Sequence, residues 1–539
     1  MSDRPIRPHP ASRLQARIRR GILCCVVALP LAAWGPARAH EPSWDDWVWN
    51  PWTLNHHQGH DHDGRWHWDW DWDWHRDHGG GCQCCPQGGS GSDSLWSATA
   101  GNSGLWSTAS NWSAGIPSGT SSTAEFGGAK VPSVTYDSKS TVGTLQFDAG
   151  AAAYTLTLNA GSDLTLAASG IVNKSTNIPV LRVSGELDFI NAATAGNAAL
   201  VTNTGGIVDF SGVTAATITA GSIAGAGTYS LGKTHLTLGG LSTSTLVSGA
   251  IRDGGKSGGT GASITKIGAG TLTLSGADTY TGQTTINQGT LQVSGGGQLS
   301  GTSGITVAPG SSDNGTLYVS GSGSRVSTAG TLQVGGAGKG TLTVDNGAAV
   351  SAGSIVLGTA GGTGSATLNI GTGGASGAIN AATVVQGAGS GSQVNLNYTD
   401  TTYTLAASLR NTLTLNQNGS GITVLSGSNT YSGGTYLNAG TLQVSSNGNL
   451  GANTAPLIFN GGTLQLSATI TNLPRPITLN AGGGTIDTST FSLLSTASIS
   501  GKGGLTKNGS GTLTLNGPSS YTGGTTVNAG TLRGTTDSL

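Results

Sequence analysis

The stretch "GTLTLSGADTYTGQTTINQGTLQVS", Gly270 to Ser294, decides how the rest of the chain is read. In its opening strand Leu272 and Leu274 point one way and Thr271 and Thr273 the other, the period-two pattern of a strand with one buried face. Leu291 and Val293 repeat the pattern against Gln292. Between the two runs, the Gly and Asn of "TGQTTINQG" tolerate the positive φ angles of tight corners. The stretch recurs at Gly421 as "GITVLSGSNTYSGGTYLNAGTLQVS" and at Gly511 as "GTLTLNGPSSYTGGTTVNAGTLRGT". In each copy a tyrosine (Tyr280, Tyr431, Tyr521) stands ten residues after the first Gly, and a further "GTL" opens nine residues later at Gly289, Gly440 or Gly530.

A shorter repeat fills the middle of the chain: "GTLYVSGSGSRVS" from Gly315, "GTLTVDNGAAVS" from Gly340 and "SATLNIGTGGAS" from Ser365. Thr316, Thr341 and Thr367 stand about one coil of a β-solenoid apart. Burying a Leu or Val is worth roughly 1.5–3 kcal/mol, but a lone coil has nothing to bury it against. Stacked coils supply the partner. The expected fold is therefore all-β, an elongated parallel β-helix whose aliphatic side chains point inward while Thr and Gln line the outside. Winding residues 95–539 at about 22 per coil gives roughly 20 coils and a rod near ~95 Å long, at ~4.8 Å per coil. The copy at Gly421 departs from the pattern: Thr423 stands where the first copy has Leu272, an imperfection in the inward row.

Composition agrees with many short strands and tight turns. Glycine supplies 92 of 539 residues, without the every-third spacing of collagen. Charged residues make up 9%, against about 25% in ordinary soluble proteins. A net charge of −1 and the lack of a basic patch argue against nucleic acid as a partner.

The N-terminus is of a different kind. Arg4, Arg7, Arg13, Arg17, Arg19 and Arg20 precede the apolar run "GILCCVVALPLAAW", and Ala37-Arg38-Ala39 offers small residues for cleavage, the layout of a secretory signal peptide spanning 1–39. Residues 40–94 form a low-complexity segment expected to be disordered, with "RWHWDWDWDWHRDH" at its centre and "GCQCC" near its end. Residues 95–250 read as the first part of the β-helix and 251–539 as the part carrying the long repeats.

The long phrase and its copies resemble the autotransporter-associated β-strand repeat of type V secreted passengers in Gram-negative bacteria. "LWSTASNWSAGIPSG", Leu105 to Gly119, resembles the Trp-rich opening of such passengers. The resemblance implies a right-handed β-helix, threaded outward through an outer-membrane translocator barrel and displayed at the cell surface or released. Leu539 falls inside the tail of a repeat, so the reading frame is expected to be truncated before its barrel, or the barrel to be a separate chain.

Several residues could carry chemistry. His56, His57, His60 and His62 with Cys82, Cys84 and Cys85 are candidate ligands for Zn, Cu or Ni, although no paired CxxC and HxxxH spacing fixes a geometry. An alternative is that the segment is sticky and unstructured, and the three cysteines could instead form disulfides. Gly255-Lys256-Ser257-Gly258-Gly259 satisfies G-x-S-x-G, but in so glycine-rich a chain the match is expected by chance, and the strand-elbow-helix context is missing. The same place falls short of a phosphate loop, because Ala250 sits where the first glycine is required. His235 reads as an outward strand residue. Trp96, Trp106 and Trp112 read as a cap on the first coil. Glu186 and Asp188 form the one tight acidic pair and read as solvated side chains.

Two functions follow. The first is a non-enzymatic surface scaffold, an adhesin or cell–cell interaction factor that contacts host or bacterial surface molecules or itself. The second is a β-helix enzyme acting on polysaccharide, which would need carboxylates placed for acid–base work, and a smaller alternative is a metal sensor or sink in the N-terminal segment.

Overall fold

The computed structural model describes residues 93–128, 131–380, 382–389 and 391–535. The expected signal peptide and residues 40–92 of the segment expected to be disordered lie outside them; the last residue of that segment, Ser94, already belongs to a strand, Ser94–Trp96, so the β-structure starts one residue earlier than expected. The described chain is all-β, with two short 3-10 turns at Ala109–Asn111 and Asn447–Leu450. It winds into a parallel β-solenoid of about 19 turns, close to the expected number. Coil length is less regular than expected. The step between stacked residues runs from 18 residues, Thr217 to His235, to 30, Ile355 to Val385.

One coil shows the plan. Strands Val384–Gly387, Gly391–Leu396 and Tyr403–Leu405 lie on three successive faces, and Ser408–Asn411 then stacks on Val384–Gly387. The longest ladder starts at Ser133–Tyr136 and ends at Ile499–Gly501. Its end strands do not pair with each other, and beyond them lie single bridges to Leu105 and Ser519, so it is an open stack and not a closed barrel.

The core is one axial column. Leu272, Leu291, Leu317, Leu342, Leu368 and Val394 follow each other in register down this ladder, each at most 2% exposed. The Thr-Leu pairs of the middle block stack as their spacing implied. At the first coils the aliphatics give way to aromatics. Trp96, Trp106 and Trp112 are buried, and Trp106 meets Trp112 and Tyr136 edge-on at centroid distances of 4.6 and 5.1 Å. They cap the stack, as read from the sequence.

The long phrase closes one coil on itself. Its two "GTL" strands are hydrogen-bonded neighbours: Leu272 on Leu291, Thr423 on Leu442 and Leu513 on Leu532. The second Gly must be glycine, since φ is +68° at Gly289, +54° at Gly440 and +75° at Gly530. A Cβ at Gly289 would also lie 2.5 Å from the Gly270 carbonyl. Tyr280 and Tyr431 are fully buried, and their hydroxyls bond Thr284 Oγ1 at 2.7 Å and Thr435 Oγ1 at 2.5 Å. Tyr521 repeats the bond to Thr525 on a coil with no described neighbour beyond it.

A cation inside the corner was not foreseen. Lys266, 2% exposed, donates to the carbonyls of Ile267, Gly268 and Gln288 at 2.9–3.2 Å, and burial pushes its amine down to about 8. Lys507 repeats the grip on Asn508, Gly509 and Ala529. In the middle copy the position is Gln417, whose amide donates to Gly419 and Gly421. The irregular Thr423 is answered here too. It is fully buried, bonds Gln417 Oε1 at 2.5 Å and meets the Tyr398 hydroxyl, so a polar chain replaces the missing Leu contact.

The copies do not share a face. The ladder carrying the "GTL" strands of the first copy continues to Thr435–Leu437 of the second, the counterpart of Thr284–Ile286. The "GTL" ladder of the second copy likewise reaches Thr525–Val527 of the third. Each copy thus sits one face further round than the last.

Two expectations follow. Lys266→Met leaves three part-buried carbonyls without their donor and should cost about 1–3 kcal/mol in urea unfolding, whereas Lys266→Gln should be tolerated as Gln417 is. Asp278 is fully buried. One of its oxygens accepts the Ile251 N–H at 2.8 Å, and the other has no partner among the described residues. Burial raises its carboxyl to about 7. An acid raised in the fold stabilises fully below its unfolded value of about 4, and that stability is lost as pH rises through 7. Asp278→Asn should flatten this loss in thermal melts from pH 4 to 8.

Candidate functional site

Four carboxylates gather on one face of the early coils. Strand Glu186–Asn191 buries Leu187 and Phe189 and turns Glu186 and Asp188 outward. Stacking places Asp163 against Glu186 and Asp188 against Asp209. Like charges in stacked positions repel. The loop of residues 253–261 offsets them by crossing back over the face. Lys256 Nζ lies 2.6 Å from Asp188 Oδ2, 3.0 Å from Glu186 Oε2 and 3.3 Å from Asp163 Oδ2. Asp209 accepts the backbone N–H of Lys256 at 2.6 Å and of Ser211 at 2.7 Å. The expectation that Glu186 and Asp188 are merely solvated therefore fails for Asp188. Its side chain is 7% exposed because the loop covers it.

Electrostatics follow from that cover. Burial drives the Asp188 carboxyl up to about 6 against the pull of Lys256, with Glu186 and Asp163 adding to the rise. Burial lowers the Lys256 amine, but the hydrogen bonds and charges of its carboxylate partners outweigh it and hold the amine above its ordinary value. Oxygens of Asp163, Glu186 and Asp188 lie within 4.8 Å of one another, close enough to share a cation. The Lys256 ammonium already lies among them. A recess of about 310 Å³ beside it is lined by Thr165, Phe189, Ile190 and Ser257 among others. A glycosidase pair needs its two carboxyls ~5–9.5 Å apart with a sugar between them. Here a lysine fills that space.

The G-x-S-x-G match is this same loop. The Ser257 N–H donates to Ser211 Oγ at 2.9 Å, and no helix follows the serine. His235 lies elsewhere, its Nδ1 2.7 Å from Ser263 Oγ on the next coil, with its pKa lowered by burial. The candidate ligands His56, His57, His60, His62, Cys82, Cys84 and Cys85 lie outside the described residues.

The outer faces form the second candidate surface. Thr271, Thr290, Thr316, Thr341 and Thr367 stand in register on five successive coils. Thr219, Thr237, Thr265, Thr285 and Thr306 do so on another ladder, and Thr441, Thr463, Thr485, Thr506 and Thr526 on a third. All are half-buried or exposed. Beside the first row an amide ladder runs from Asn416 to Asn395 at 2.8 Å, to Asn369 at 2.9 Å and to Thr343 at 3.2 Å. These rows carry hydroxyl, methyl and amide groups and no charge.

The described chain is thus a parallel solenoid with uncharged rows on its outside and an acidic pocket locked by its own lysine. Known proteins offer two points of comparison. The passenger-associated-transport-repeat model matches residues 264–293, 415–444 and 505–533. A 121-residue segment is 44% identical to "Adhesin BmaC autotransporter" of Brucella suis biovar 1 (strain 1330), covering 20% of this chain and 4% of that protein. No solved structure matches the chain. The repeats and this relative together support an autotransporter passenger with transport repeats. The repeat matches begin at Ile264, Leu415 and Leu505, so they take in the Lys266, Gln417 and Lys507 corners.

Because the Ser257 N–H is bound to Ser211 and no histidine contacts the serine among the described residues, a fluorophosphonate probe should leave Ser257 unlabelled. Peptide mass spectrometry would reveal an adduct.

Proposed function

We propose that the chain is an exported, adhesin-like passenger that reaches the cell surface through an outer-membrane translocator barrel and works by contact along its outer faces. The observation that carries this reading is the in-register threonine and amide rows on a solenoid that carries three transport repeats. Each hydroxyl or amide contact is weak, but rows at ~4.8 Å spacing can engage an extended partner many times over, and linked weak contacts multiply. The relative's name, an adhesin, points the same way. A polysaccharide-cleaving role has less support, since its best carboxylate pair is held by Lys256.

Deleting the gene should reduce surface attachment or self-association of the cells, and unchanged attachment would count against the proposal. Because the rows are uncharged, attachment restored by the full chain should weaken little from low to high salt, unlike charge-driven binding. Adhesion assays across a salt series give the answer.

A further inference from the structure

Coils of a solenoid ordinarily touch only their neighbours. Residues 253–261 do not obey that rule. The loop leaves strand Ala250–Arg252, the last of the eight-stranded ladder that begins at Ser94–Trp96. It then runs back along the axis. Gly254 bridges Gly232 one coil away, the Lys256 and Ser257 N–H groups reach Asp209 and Ser211 two coils away, and Lys256 Nζ reaches Asp188, then Asp163, 93 residues distant in sequence. At ~4.8 Å per coil the four steps span about 19 Å. Asp253 pins the far end, accepting the N–H groups of Gly261 and Ala262 at 3.1 Å. The approach is so close that a Cβ on Gly255, where φ is +117°, would lie 2.5 Å from Asp209 Oδ1.

We propose that this loop is an axial clamp: the grip of Lys256 on Asp163, Glu186 and Asp188 makes the coils from Asp163 to Arg252 open as one unit, and the lock loosens as ionic strength rises. The position explains the need. The eight-stranded ladder ends at Arg252, and the next coil is joined to it by fewer bonds, from Asp278 and Thr279 to Ile251 and from Thr281 to Asp253, while the column continues on other ladders. The clamp binds the last coils of the ending ladder to one another. The charges give the sign. Without Lys256 the stacked pairs Asp163–Glu186 and Asp188–Asp209 would repel each other, with Lys139, in register with Asp163, and Arg252, which shares a recess with Glu186 and Asp209, as further cations on this face. The lysine side chain is half-exposed, so salt reaches the lock.

Hydrogen exchange of the full chain, read by mass spectrometry, tests the clamp. In Lys256→Gln, amides of 163–173, 186–191 and 207–213 should exchange together and at least about tenfold faster, as expected of one cooperative unit. Strands from 435 to 508 should be unchanged, which also shows that the variant folds. Lys256→Arg should behave as the native chain. High salt should speed the same three segments in the native chain and add little in Lys256→Gln. Acceleration confined to 253–261, or an equal salt response in both chains, would overturn the proposal. If the Gln variant fails to fold, the salt response of the native chain alone decides.

Discussion

Everything in this structure depends on axial register. Leu317 is dry because Leu291 lies on one side of it and Leu342 on the other, and neither neighbour is close to it in sequence. A coil that slipped by one residue would turn its aliphatics outward and its threonines inward. The exceptions show how strictly the column is enforced. Where Thr423 interrupts it, Tyr398 and Gln417 close around the hydroxyl, and where Lys266 enters a corner, three carbonyls meet its amine.

The same register arranges the outside. Alternation that buries Leu at one position necessarily lines up Thr at the next, so ordered rows of hydroxyls come with the core at no added requirement. Threonine suits both tasks, its β-branch favouring strand and its hydroxyl staying wet. The result is a set of long rows without charge, which offer a partner number and regularity of contacts in place of ion pairs.

The stack itself was legible from Gly270 to Ser294 because strand period, glycine corners and the recurrence all lie within one short window. So were the Trp96, Trp106 and Trp112 cap and the stacking of Thr316, Thr341 and Thr367. The lysine corners were half legible. Lys266, Gln417 and Lys507 recur at a fixed offset before each phrase, but a lone lysine near glycines reads as solvent-facing until the corner is built. The locked acidic pocket was not legible. The coil steps there, 23 residues from Asp163 to Glu186 and 21 from Asp188 to Asp209, stay close to the assumed value of about 22, but Lys256 arrives on a loop that runs back across the coils, which no repeat period predicts. The regularity that reveals the fold thus hides a contact made by a loop that leaves the stack.

The shift of the long phrase from face to face has a further meaning for how such a chain can change. Each copy joins its two "GTL" strands on a single ladder, so the three sides of the column are interchangeable as far as the phrase is concerned. Recombination between the first and second copies would excise the intervening turns and still leave strands that stack. The column beyond the join would simply be swivelled by a third of a revolution. Genetic shortening could thereby present a different side of the same protein in a given direction without designing a new one.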